Sequence, residues 1–183
     1  MRSISGFTLA AALALGGAAH AQEAEDDAAQ TEAEARSETL NNASFGDWRV
    51  VCEAVSTTRT ACRIVQSQRI AESGDLVAQF VAYPLSEGAA LFVAQVPMGV
   101  YLPGGAVYRP AEDEAAEQTQ MIWQRCAGPI CEAALQLSAE DVAGFAETGA
   151  LVFGYQMDPG ADPIITRVDV STFAEALEAV RQE

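Results

Sequence analysis

Apolar residues in this chain come in short clusters rather than long stripes. Runs rich in β-branched and aromatic side chains recur at Trp48 to Cys52, Ala61 to Ser67, Leu76 to Tyr83, Ala90 to Val96, Val107 to Arg109, Met121 to Arg125, Ala133 to Leu137, Leu151 to Met157 and Ile164 to Val170. Most are bounded by Gly, Pro, Asp or Ser, the pattern of strands separated by turns. The gaps are too short for the crossover helices that parallel neighbours require, so the strands are expected to pair antiparallel, as a β-sandwich or barrel. Two stretches carry helical signals instead. Ser138 with Asp141 has the spacing of a capping box opening a short helix to about Glu147, and Thr172 with Glu175 repeats it for the C-terminal segment. In that last segment Phe173, Leu177 and Val180 share one face, which can close over the sheet. The expected fold is mainly β with one or two short helices.

The pattern changes at the N-terminus. Arg2 precedes an apolar stretch from Ile4 to Ala18, then Ala19, His20 and Ala21, a small-x-small site that predicts cleavage before Gln22. Such a stretch is shorter than the roughly twenty residues that a bilayer needs, so residues 1–21 are expected to be a signal peptide and no membrane span is expected. Residues 22–44 are Ala, Glu, Asp, Gln, Thr and Ser with almost nothing large and apolar, a composition that does not offset the entropy of ordering. They are expected to form a disordered acidic linker ahead of one domain, 45–183.

Four cysteines then staple the scaffold. Cys52 and Cys62 fall on successive expected strands, and Cys126 and Cys131 enclose a turn containing Gly128 and Pro129. Local pairing within each couple is the simplest of the three possible connectivities, and long-range pairing stays open on the sequence alone. Neither spacing is that of a zinc ribbon, and an exported, oxidising compartment, periplasmic or secreted, favours disulfides over metal binding. A redox-active role for the tight Cys126/Cys131 loop would need a neighbouring base or helix N-terminus to activate a thiol.

Charge narrows the function further. The formal net charge is −16, all ten basic residues are arginines, and the one histidine, His20, leaves with the leader. A chain so acidic repels nucleic acid, whose binding depends on clustered cations. Without mature histidine or any lysine, Ser/His/Asp, Cys/His and Schiff-base catalysis are excluded. There is no glycine-rich phosphate fingerprint, and no cofactor is expected. The one carboxylate cluster with chemical potential is Glu112, Asp113, Glu114 and Glu117, just ahead of Trp123. It can be read as a contact surface for a basic partner, or as paired acids beside an aromatic for glycoside cleavage.

Phe45-Gly46-Asp47-Trp48, then Cys52, Cys62 and Gln66, then Pro97-Met98-Gly99-Val100 with Leu102, then Cys126, Cys131 and the Phe173 helix, form an ordered set. In that order and spacing the chain resembles the invasion-associated locus B family of exported α-proteobacterial proteins. The resemblance implies a periplasmic or envelope location, a mostly β domain and, in pathogenic members, a part in entering host cells. It implies no enzymatic reaction. The expected function is therefore a non-catalytic domain that contacts an envelope or host protein; a carrier of a small apolar ligand in a cavity inside the β domain is the alternative.

Overall fold

The computed structural model describes residues 40–57 and 59–181, so the leader and residues 22–39 of the expected linker lie outside the described residues. Ten strands build one antiparallel sheet: β1 Ser44–Phe45, β2 Trp48–Ala54, β3 Thr60–Arg69, β4 Leu76–Pro84, β5 Ala90–Pro97, β6 Ala106–Pro110, β7 Thr119–Ala127, β8 Ile130–Leu137, β9 Ala150–Tyr155 and β10 Ile164–Asp169. Among the described residues two α-helices complete it, α1 Ala139–Thr148 and α2 Phe173–Arg181. The strand order is β1-β2-β3-β4-β5-β8-β7-β6-β9-β10, one sheet curled into an open half-barrel, in place of the two packed sheets of a sandwich or a closed barrel.

The curl is fixed by side chains that reach across it. The indole Nε1 of Trp48 on β2 donates to the carbonyl of Asp169 at the end of β10 (2.9 Å), and the Gln66 amide on β3 donates to the same oxygen (3.4 Å). Gln66 is 2 % exposed, a buried amide held by the far edge of the sheet rather than by a neighbouring strand. Period-2 alternation sends Trp48, Val50, Ile64, Phe80, Phe92 and Phe153 to the inner face, where both helices cover them. Phe92 sits at the centre, with edge-to-face contacts to Tyr108, Phe145 and Phe173 and a stacked contact to Phe80.

The first helix forms as its capping box predicts. The Ser138 hydroxyl accepts from the Asp141 N–H (3.1 Å), and the Asp141 carboxylate accepts from the Ser138 N–H (2.9 Å). The Ser138 hydroxyl also donates to the Asp141 carboxylate (2.7 Å), and this bond, followed by the one from the Ser138 N–H, holds the Asp141 carboxyl below the usual carboxylate range. The second helix starts differently. The Thr172 hydroxyl donates to the Phe45 carbonyl (2.7 Å) and so ties the helix to β1. Gly46, at φ +57°, makes room for that contact, since a Cβ there would lie 2.8 Å from the Thr172 hydroxyl oxygen.

Both cysteine couples pair locally, Cys52 with Cys62 and Cys126 with Cys131, each directly opposite in register across a hairpin. The folded unit also begins before Phe45. Leu40 and Ala43 pack against the core, the Asn41 side chain accepts from the Cys52 N–H (3.1 Å), and the Asn42 N–H donates to Val50 (2.9 Å).

Candidate contact surface on the outer face

The outer face of the half-barrel carries the alternate residues of the same strands, and their register places them in rows. Val65 on β3, Val81 on β4, Val93 on β5, Ala134 on β8 and Ile122 on β7 stand directly opposite one another, an apolar row five strands wide. Val81, Val93 and Ala134 are buried by this packing alone, with Val65 and Leu91 against them, whereas Ile122 at the end of the row is 66 % exposed. Tyr83 and Leu91 pair on one side of the row.

On the other side runs a polar row, Ser67, Gln79, Gln95, Glu132 and Arg125, in the same register. It is wired along its length: Gln79 donates to Ser67 (3.2 Å), Gln95 donates to Glu132 (2.9 Å) and the Arg125 Nε donates to the other oxygen of Glu132 (2.8 Å). The Arg125 guanidinium, and then the Gln95 amide, hold the Glu132 carboxyl below its usual range against the opposing effect of partial burial. Over the apolar row lies an open groove of about 510 Å³ lined by Val93, Ala134 and Ile122, with Tyr83 and Leu91 on one side and Arg125 and Glu132 on the other.

Charge is segregated in the same way. Strands β2, β3, β4, β5, β7 and β8 together carry four arginines and two glutamates, in a chain whose formal net charge is −16. Both glutamates are neutralised by arginines, Glu53 by Arg63 (2.6 Å) and Glu132 by Arg125 (2.8 Å). The acidic surplus therefore lies outside these six strands, leaving this sheet region free of it.

The residues singled out from the sequence fall elsewhere. Glu112, Asp113, Glu114 and Glu117 are all exposed on the β6–β7 loop. Glu112 pairs with Arg167 of β10 (2.9 Å), and an Asp113 carboxylate oxygen accepts from the Ala115 N–H (3.0 Å). Trp123 is directed to the core, away from these carboxylates. Glu112 and Asp113 thus have separate partners, and the loop acids are not gathered with Trp123. The outer row escaped the reading by composition, although a signal for it exists. Phe80-Val81-Ala82 and Leu91-Phe92-Val93-Ala94 are unbroken apolar runs, and a strand without alternation presents apolar side chains on both faces.

An antiparallel half-barrel with two hairpin staples and an apolar outer row defines a disulfide-stabilised β domain of an oxidising compartment. Among described residues, no helix is long and apolar enough to cross a membrane. The family model for the invasion associated locus B (IalB) protein matches residues 48–181, and the chain belongs to that family. The fold is similar to that of the crystal structure of invasion associated protein B from Bartonella henselae, with a TM-score of 0.64 at 16 % identity, covering 76 % of this chain and 94 % of that one. No curated protein matches the chain by sequence.

Proposed function

We propose that the domain is a non-catalytic contact module of the bacterial envelope, which binds a protein partner through the apolar row of its outer face. The observation that carries this reading is the row itself: five strands wide, ending in the exposed Ile122, and set on strands whose two glutamates are both paired with arginines. Exposed apolar surface rimmed by polar side chains is the usual mark of a contact site, and a large apolar side chain next to a groove is a typical anchor. The partner this face fits presents apolar side chains with little net charge. The leader-like N-terminal sequence, two disulfides and family membership support an envelope location.

The inner face supports the carrier reading less well. Its aromatic side chains, Trp48, Phe80, Phe92, Phe153 and Phe173, fill the interior where a ligand would sit. The separate partners of Glu112 and Asp113, with Trp123 turned to the core, support a non-catalytic role over glycoside cleavage, which needs two acids flanking one bond.

The reading is tested by non-denaturing separation of envelope extracts containing the wild type, the double variant Tyr83→Ser with Ile122→Asp, and the amide variant of the four loop acids. A complex that is lost in the double variant and kept in the amide variant is the expected result. Loss of the anchor costs about 2 kcal/mol, roughly thirtyfold in affinity. A complex that survives the double variant contradicts the reading.

A further inference from the structure

The outer face of β6, β9 and β10, at the other end of the sheet, holds a second concavity with different chemistry. Val107, Gly154 and Ile165 stand in one row across the three strands. The middle position has no side chain, so the two branched neighbours form walls over a backbone floor. The result is a groove of about 290 Å³, lined also by Val152 and Pro163, with Ile165 61 % exposed at its rim. A glycine inside a strand commonly marks close approach of a ligand or another backbone.

The adjoining row is Arg109, Val152 and Arg167, two cations on either side of one valine. Arg109 also lines the groove. Its Nη1 donates to the carbonyls of Pro110 (3.0 Å) and Asp113 (3.1 Å), which pin the guanidinium at the start of the acidic loop. No carboxylate among the described residues forms an ion pair with it. Arg167, in contrast, holds the Glu112 carboxylate of that same loop (2.9 Å), in a pair in which both side chains are largely exposed. The loop thus orients one arginine with neutral carbonyls and supplies an anion to the other.

We propose that this groove is a binding site for a carboxylate carrying a short branched apolar tail, with the tail over Gly154, the carboxylate on Arg109, and Glu112 as an internal competitor for the arginine row. A positioned guanidinium is the side chain best matched to a carboxylate, and charge-assisted bonds of this kind are roughly twice as strong as neutral ones. A groove of this volume takes one aliphatic side chain, not a long acyl chain. The chemistry is shared by a protein C-terminus ending in leucine or valine and by a free short-chain acid.

Two probes separate these sources: a short alanine peptide ending in leucine with a free carboxylate, and 4-methylpentanoate; the C-terminal amide of the peptide is the control. Amide chemical shifts of Val152, Gly154 and Ile165 are followed by NMR during titration of the full mature protein. The carboxylate probes are expected to move these three signals, with the amide peptide at least about tenfold weaker. Arg109→Gln should erase the preference for the free acid, and Glu112→Gln should tighten binding severalfold. Gly154→Val should abolish binding at unchanged thermal stability, because a Cβ at Gly154 meets nothing nearer than 3.6 Å and valine suits a strand. The peptide binding more tightly than 4-methylpentanoate identifies a protein C-terminus; equal binding identifies a small acid. Absence of shifts in both the wild type and Glu112→Gln, equal binding of acid and amide, or binding unaffected by Arg109→Gln overturns the proposal.

Discussion

The two faces of β4 and β5 are made from alternate residues of the same strands and have opposite fates. On the inner face Phe80 and Phe92 are buried against two helices and the facing wall of the sheet. On the outer face Val81 and Val93 are buried only by their cross-strand neighbours, with Tyr83 and Ile122 open to solvent at the margins. Burial by a covering layer serves stability, because removing a side chain there leaves a cavity. Burial within a bare face leaves the margins available, and the same apolar chemistry becomes a contact surface. The contrast predicts that stability and binding separate by face.

The sharpest break of this contrast is Phe92→Ala against Ile122→Asp. Removing the central ring should cost about 3–5 kcal/mol in denaturant unfolding, while the exposed outer position should change stability by no more than about 0.5 kcal/mol. A large loss from Ile122→Asp would show that the outer row is core by another name. Next in size are the staples. Their sequence separations are 10 and 5 residues, so on the loop-entropy model each contributes roughly 2–3 kcal/mol, with Cys52–Cys62 the larger. Paired Cys→Ser variants, unfolded separately, check the order.

The two faces were unequally legible in the sequence. Alternation and turn residues placed nine strands, the capping box at Ser138 placed α1, and turn-straddling spacing pointed to both disulfides. Those signals are local. The row of Val65, Val81, Val93, Ala134 and Ile122 is not, because it depends on β5 pairing with β8 instead of its sequence neighbour β6. It depends also on a register shift in β7 between Trp123 and Arg125, which brings Ile122 opposite Ala134 while still setting Arg125 opposite Glu132. Thr172 stands at the expected helix start, but the bond its hydroxyl donates to the distant Phe45 carbonyl has no local signal in the sequence. The Gly154 groove likewise needs three strands in register before the missing side chain becomes a floor.

The N-terminal boundary gives a smaller effect. A chain starting at Leu40 should melt with one starting at Gln22, whereas one starting at Phe45 loses the packing of Leu40 and Ala43 and the Asn41 bond to β2, a cost of about 1–2 kcal/mol by calorimetry. Equal melting of all three would place residues 40–44 outside the stabilising unit. The smallest effect is the pH response of the polar row. The folded-state pKa of Glu132 is depressed, so its contribution is complete above the unfolded glutamate value near 4.3 and is lost as pH falls through the lower folded value. Glu132→Gln should flatten this acid-side loss by less than about 1 kcal/mol, measured by unfolding between neutral pH and about pH 3.

The claim that the outer row makes the partner contact is tested most directly by position-specific photocrosslinking in the intact envelope. A benzophenone side chain is placed in turn at Ile122 on the row and at Tyr83 and Leu91 beside it, together the row positions, at Glu114 on the acidic loop and at Glu175 on α2. The account predicts one discrete adduct of the same mass from the row positions and none from Glu114 or Glu175. The same adduct arising from Glu114, with the row positions silent, would contradict it and return the contact to the acidic loop.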